Sequence, residues 1–146
     1  MSEISKIIEM LKLAQDDEIC ELELDLFALI YDKKNESIAI EIFMTLSNWV
    51  SFSLRDGVWT FYEYTNDELI EKTKEFLEIK NWNELRDMYK MGIHDYHNEK
   101  YLDNYNYPDE WLEESEIIDK WIFENENNIY RFLRDLILEN KVSFLM

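Results

Sequence analysis

Residues 21–64 decide the fold: ELELDLFALIYDKKNESIAIEIFMTLSNWVSFSLRDGVWTFYEY. Leu22, Leu24 and Leu26 alternate with Glu21, Glu23 and Asp25. Ile38, Ile40, Ile42, Met44 and Leu46 do the same against Ala39, Glu41, Phe43 and Thr45. Val50, Phe52 and Leu54 alternate with Ser51 and Ser53, and Val58 to Tyr64 is rich in aromatics. A period of two places one face of a strand on a core and the other in solvent. Lys33-Lys34-Asn35-Glu36, Ser47-Asn48 and Arg55-Asp56-Gly57 fall between the runs as turns, with Gly57 suited to the left-handed conformation of a hairpin bulge. This stretch therefore predicts four antiparallel strands in a meander. A helix over 36–54 is the competing assignment, because apolar residues are dense there; the alternation and the Asp-Gly turn favour strands.

Outward from this stretch the period becomes helical. Ile4, Ile7, Ile8, Leu11 and Ala14 recur at three- and four-residue steps, which predicts a helix over 3–14 capped by Ser2. Downstream, Thr65 with Glu68 and Asn81 with Glu84 have capping-box spacing, and Gly92 is a stop signal. Residues 94–107 are polar and read as loop. Pro108, Asp109 and Glu110 open a further helix. Glu124 to Asn128 interrupts it, and Ile129, Phe132, Leu133, Leu136 and Ile137 form the stripe of a last helix to about Asn140. Val142 to Met146 reads as a short strand. The expectation is one α+β domain over 1–146: an N-terminal helix, a four-stranded antiparallel meander, then a helical C-terminal half packed on one sheet face.

Composition narrows the function. The chain carries 33 Asp and Glu against 15 Lys and Arg, a formal charge of -18. Such a surface repels nucleic acid and anionic lipid and attracts basic proteins. No direct nucleic-acid contact and no membrane are therefore expected. No secretory signal and no long apolar run is visible, and Cys20 is alone, which together suggest a cytoplasmic setting. Only Gly57 and Gly92 are present, so no phosphate-binding loop can be built. There is no GxSxG, CxxC or HExxH. Cys20 has no local base, and Glu21 and Glu23 disfavour its thiolate, so a structural role is expected. No cofactor and no catalytic residue is expected.

The acidity is concentrated. Residues 95–126 hold 11 acids and only Lys100 and Lys120, among Tyr96, Tyr101, Tyr105, Tyr107, Trp111, Trp121 and Phe123. Trp111 and Trp121 fit an apolar stripe. The tyrosines of the polar stretch are expected to be exposed anchors, since Tyr offers large area with few rotamers to freeze. Tyr101, Asp103, Tyr105, Tyr107, Asp109, Glu110, Glu113, Glu114 and Glu116 are thus the expected partner-binding residues. The profile is similar in type to acidic immunity proteins, DNA mimics, anti-CRISPR and other phage anti-defence proteins. It implies an inhibitor that occupies the nucleic-acid site of a basic partner such as a nuclease toxin, a CRISPR effector or a DNA-binding protein. One alternative is a structural adaptor that self-associates, as a homodimer, through the sheet face or helix 129–140, where Arg131 and Arg134 would meet a partner's acids. The other is a metal-dependent enzyme built on His94 and His97, three residues apart beside Asp95 and Glu99.

Overall fold

Helices account for every regular element among the described residues. The computed structural model describes residues 2–31, 33, 37–102 and 106–146. In order they form α1 (Glu3–Leu13), α2 (Asp16–Tyr31), α3 (Ile38–Arg55), α4 (Trp59–Tyr64), α5 (Asp67–Glu78), α6 (Asn83–Met91), a short 3-10 turn (Glu99–Tyr101), α7 (Asp109–Glu124), α8 (Glu126–Glu139) and α9 (Lys141–Leu145). No strand and no sheet occurs among these residues, so the expected α+β meander is wrong and the chain is all-helical.

The error has a physical origin in each segment. In α2 the buried positions are Ile19, Glu23, Leu26 and Ile30, spaced by four, three and four. The alternation chose Leu22 and Leu24, yet Leu24 is 53% exposed while Glu23 is buried. Leu and Glu are strong helix formers, and of the β-branched residues that strands favour the segment holds only Ile19 and Ile30. In α3, Ala39, Ile40, Ile42, Phe43, Leu46, Trp49 and Val50 are all buried. A helix apolar on most sides contains a period-two subset by necessity, so alternation does not identify a strand there. Ser47-Asn48 lies inside α3 rather than at a turn. Gly57 does adopt a positive φ of 101°, but it ends α3 instead of closing a hairpin. The backbone N–H groups of Asp56 and Gly57 both donate to the Phe52 carbonyl, at 2.8 and 3.0 Å, a helix C-terminal arrangement. Val142 to Leu145 lie in α9, with Met146 just past its end, and not in a strand.

The chain packs as two compact units, residues 1–44 with 125–146, and residues 45–124. In the first, α1 packs on α2, α8 and α9, and α2 packs on α8. Ser2 caps α1 as expected, its hydroxyl accepting from the Ser5 N–H at 3.1 Å. Ile4, Ile8 and Leu11 bury one stripe of α1, each contributing about 1.5–3 kcal/mol. Ile129, Leu133, Leu136 and Ile137 do the same for α8. Phe43 and Phe144 meet edge to face, with centroids 5.7 Å apart.

In the second unit α5 packs on α6, and α7 packs on α4 and α6. All five tryptophans of the chain lie in it. Its centre is a buried polar chain. Trp49 Nε1 donates to Tyr62 Oη at 2.9 Å, Tyr62 Oη donates to the Tyr89 carbonyl at 2.6 Å, and Tyr89 Oη donates to the Ile70 carbonyl at 3.3 Å. Burial raises the phenols of Tyr62 and Tyr89 well above their ordinary range, which keeps both as donors. Gly92 caps α6 where a stop was expected, and the Tyr62 ring lies against it.

Candidate functional site

Helix α7 starts immediately after Pro108 and carries Asp109 and Glu110 in its first turn, where the helix N-terminus favours negative charge. Ser115, Ile118 and Ile122 are its buried stripe. Asp119 fixes the helix to the turn that follows α3. Its Oδ1 accepts from Ser53 Oγ at 2.6 Å and from the Val58 N–H at 2.9 Å, while Trp59 N–H donates to Ser115 Oγ at 3.1 Å. Burial pushes the Asp119 carboxyl above its ordinary value, and the two hydrogen bonds oppose that.

This anchoring turns the acidic residues outward. Asp109, Glu110, Glu113 and Glu116 are exposed and have no cation against them among the described residues. Leu112, Ile117 and Phe123 are exposed on the same helix, at 38%, 53% and 70%. Glu114 differs: it is half-buried, and its Oε1 lies 3.0 Å from His94 Nε2. Four of the nine expected partner-binding residues therefore share an accessible carboxylate face.

The tyrosines do not join them. Tyr101 is 8% exposed and Tyr107 is 5% exposed, so neither serves as the surface anchor expected of it. Their rings pack on Trp111, with centroids at 5.4 and 6.0 Å, and on each other at 5.1 Å. Tyr107 Oη donates to Glu63 Oε2 at 2.6 Å. Tyr96 is buried in the same cluster, and desolvation raises its phenol pKa. Asp103 and Tyr105 lie outside the described residues. The physical reason is local: a polar segment with few aliphatic residues still buries its rings by folding them over one tryptophan.

The histidines are parts of this packing. His94 stacks on Trp111, 4.7 Å between centroids with planes 7° apart. His97 Nδ1 lies 3.0 Å from Asp67 Oδ1, and its Nε2 lies 2.7 Å from the Glu63 carbonyl. His94 and His97 thus have separate partners and do not converge on a common point. Among the described residues no group of three or more His, Cys, Asp and Glu is placed to hold a metal.

A second acidic face, on α2, was not singled out from the sequence. Asp17, Glu21 and Asp25 are exposed at four-residue steps, with no ion pair among the described residues. Their spacing is the signal for it, but a strand assignment hides it. Asp16, one residue earlier, is instead paired with Arg131, whose Nε donates to Asp16 Oδ1 at 2.8 Å; that contact lowers the Asp16 carboxyl. Among the described residues no helix is long and apolar enough to cross a membrane. No family model matches the chain, and neither the curated proteins nor the solved structures contain a match to it.

Proposed function

We propose that this chain is a binding protein that inhibits a basic, nucleic-acid-handling protein by occupying its nucleic-acid site, with the outer face of α7 as the docking surface. One observation carries the proposal. Asp109, Glu110, Glu113 and Glu116 present exposed carboxylates, with no cation against them among the described residues, along about 10 Å of helix, at about 1.5 Å per residue. That is about one charge per 3–4 Å, close to the 3.4 Å of a single DNA strand. The spacing also opposes helix stability. Asp109 with Glu113, and Glu113 with Glu116, are like-charge neighbours that each destabilise the helix by about 0.2–0.5 kcal/mol. Solubility alone does not call for such crowding. Leu112, Ile117 and Phe123 add apolar contact area beside the charges.

The adaptor alternative draws no support from α8, because Arg131 is already held by Asp16 and Asn128. The histidine-metal alternative has no converging ligands among the described residues.

The test uses basic nucleases, CRISPR effectors and DNA-binding proteins encoded in the same genetic neighbourhood. Binding should fall with added salt and be competed by duplex DNA. A Glu110→Lys, Glu113→Lys, Glu116→Lys variant should lower the association rate by about tenfold or more, with a smaller change in dissociation. Absence of any salt-sensitive, DNA-competed binding across that set would refute the proposal.

A further inference from the structure

The first unit carries a groove unrelated to α7. Helices α1 and α2 are joined by Ala14 and Gln15 alone and run antiparallel. Two depressions lie along their seam, of about 500 and 520 Å³, and Asp25 lines both. One is bounded by Met10, Leu13 and Ala14 across from Leu22; the other sets Ile7 against Ala28 and Leu29. The floor is a second apolar stripe on each helix, beside the one already buried. On α1, Ile7, Met10 and Leu13 follow at three-residue steps. On α2, Leu22 and Leu29 are seven apart, with Asp25 between them. Met10 is 54% exposed and Leu13 is 88% exposed.

The rim is acidic. Asp17, Glu18, Glu21 and Asp25 line the first depression with no Lys or Arg among its lining residues, and Glu3 and Lys6 border the second. Residues 16–31 contain no basic residue at all. Asp17, Glu21 and Asp25 form a straight row, about 6 Å apart along the axis. From Asp17 to Leu29 the seam is about 18 Å long, the length of three helical turns.

We infer that this groove docks an amphipathic, cationic helix of a partner protein. Its apolar residues at i, i+3 or i+4 and i+7 would seat on Met10, Leu13, Leu22 and Leu29. Its Lys or Arg residues at four-residue steps would meet Asp17, Glu21 and Asp25. Charge complementarity selects this occupant. A second copy of the same chain would bring an equally acidic rim against this one, and an anionic surface would be repelled.

The probe is a labelled synthetic Leu/Lys peptide of about 14 residues with helical apolar spacing. It is compared with a scrambled peptide of the same composition, by fluorescence anisotropy on the full chain. The patterned peptide should bind about tenfold or more tighter than the scrambled one. Leu13→Glu, which removes an exposed apolar contact, should abolish that preference. The double variant Glu21→Lys, Asp25→Lys should weaken the patterned peptide by about tenfold or more, and by more than Glu113→Lys with Glu116→Lys on α7 does. All altered side chains are surface-accessible, and far-UV circular dichroism of each variant would check that helix is retained. Equal binding of both peptides, or indifference to Leu13→Glu and to the α2 charge reversals, would overturn the inference. So would sedimentation showing a dimer that either groove variant dissolves, because the occupant would then be a second copy. Loss of α7 binding to a basic partner leaves these results unaffected, so the two surfaces fail separately.

Discussion

Replacing Glu23 by Met should stabilise the protein, and by an amount that grows with pH. Glu23 is 4% exposed on α2, and neither carboxylate oxygen has a hydrogen-bond partner among the described residues. Desolvation pushes its pKa from 4.5 to about 9, with the Arg134 guanidinium pulling weakly the other way. The folded chain therefore keeps this proton between pH 4.5 and about 9, whereas the unfolded chain has released it. The folded state binds more protons in that window, so stability falls as pH rises, by about 1.4 kcal/mol per pH unit. Below pH 4.5 the residue is neutral in both states and contributes no slope; above about 9 it is ionised in both. At pH 7 the accumulated penalty is about 3 kcal/mol, large beside a total stability of about 5–15 kcal/mol. Met has similar volume, no titrating group and no orphaned polar atom, so it removes the penalty without opening a cavity. Urea denaturation followed by far-UV circular dichroism, at pH 5, 6, 7 and 8, would give the difference between variant and wild type. That difference should widen steadily with pH, and Arg134→Met should extend the sloping range upward. A difference independent of pH, or a destabilised variant at pH 8, would refute the account of Glu23 as a protonated, unpartnered acid.

Two other substitutions test the second unit. Gly92→Ala would place a methyl group 2.3 Å from Cε2 of Tyr62, a buried ring held by Trp49 and the Tyr89 carbonyl; thermal unfolding should show a loss of about 1–3 kcal/mol. Asp119→Ala strips the acceptor from Ser53 Oγ and the Val58 N–H, so chemical denaturation should show a loss of about 1.5–3 kcal/mol.

What the sequence made legible follows from where its signals are local. Ser2, Gly92 and the Pro108-Asp109-Glu110 start are short-range devices, and the structure has helix boundaries at or within a residue of each. The second cap signal shifted by one residue, with Asn66 rather than Thr65 accepting from Leu69 N–H. The stripes of α1 and α8 were readable because polar residues separate their apolar ones. Helices α2 and α3 were not readable for opposite reasons. The first buries an acid and exposes a leucine, so its hydropathy misreports its faces. The second is buried on most sides and has no single stripe. The expected site divides along the same line. Carboxylates on α7 face solvent because α7 is a regular amphipathic helix. Tyr101 and Tyr107 turn inward because Trp111, several residues away, supplies a surface that a composition window does not see.

The placement of every tryptophan within residues 45–124 gives the chain a built-in optical label. Indole emission is blind to residues 1–44 and 125–146, while backbone dichroism sees both units. Coincident melting curves from the two signals would mean that the units lose structure as one cooperative body, and separated curves would give each its own midpoint. The Glu23 variant, which alters only the unit without an indole, would then shift one curve and leave the other in place if the units are independent. The wild-type protein thus distinguishes its two halves without a dye, a tag or an added residue.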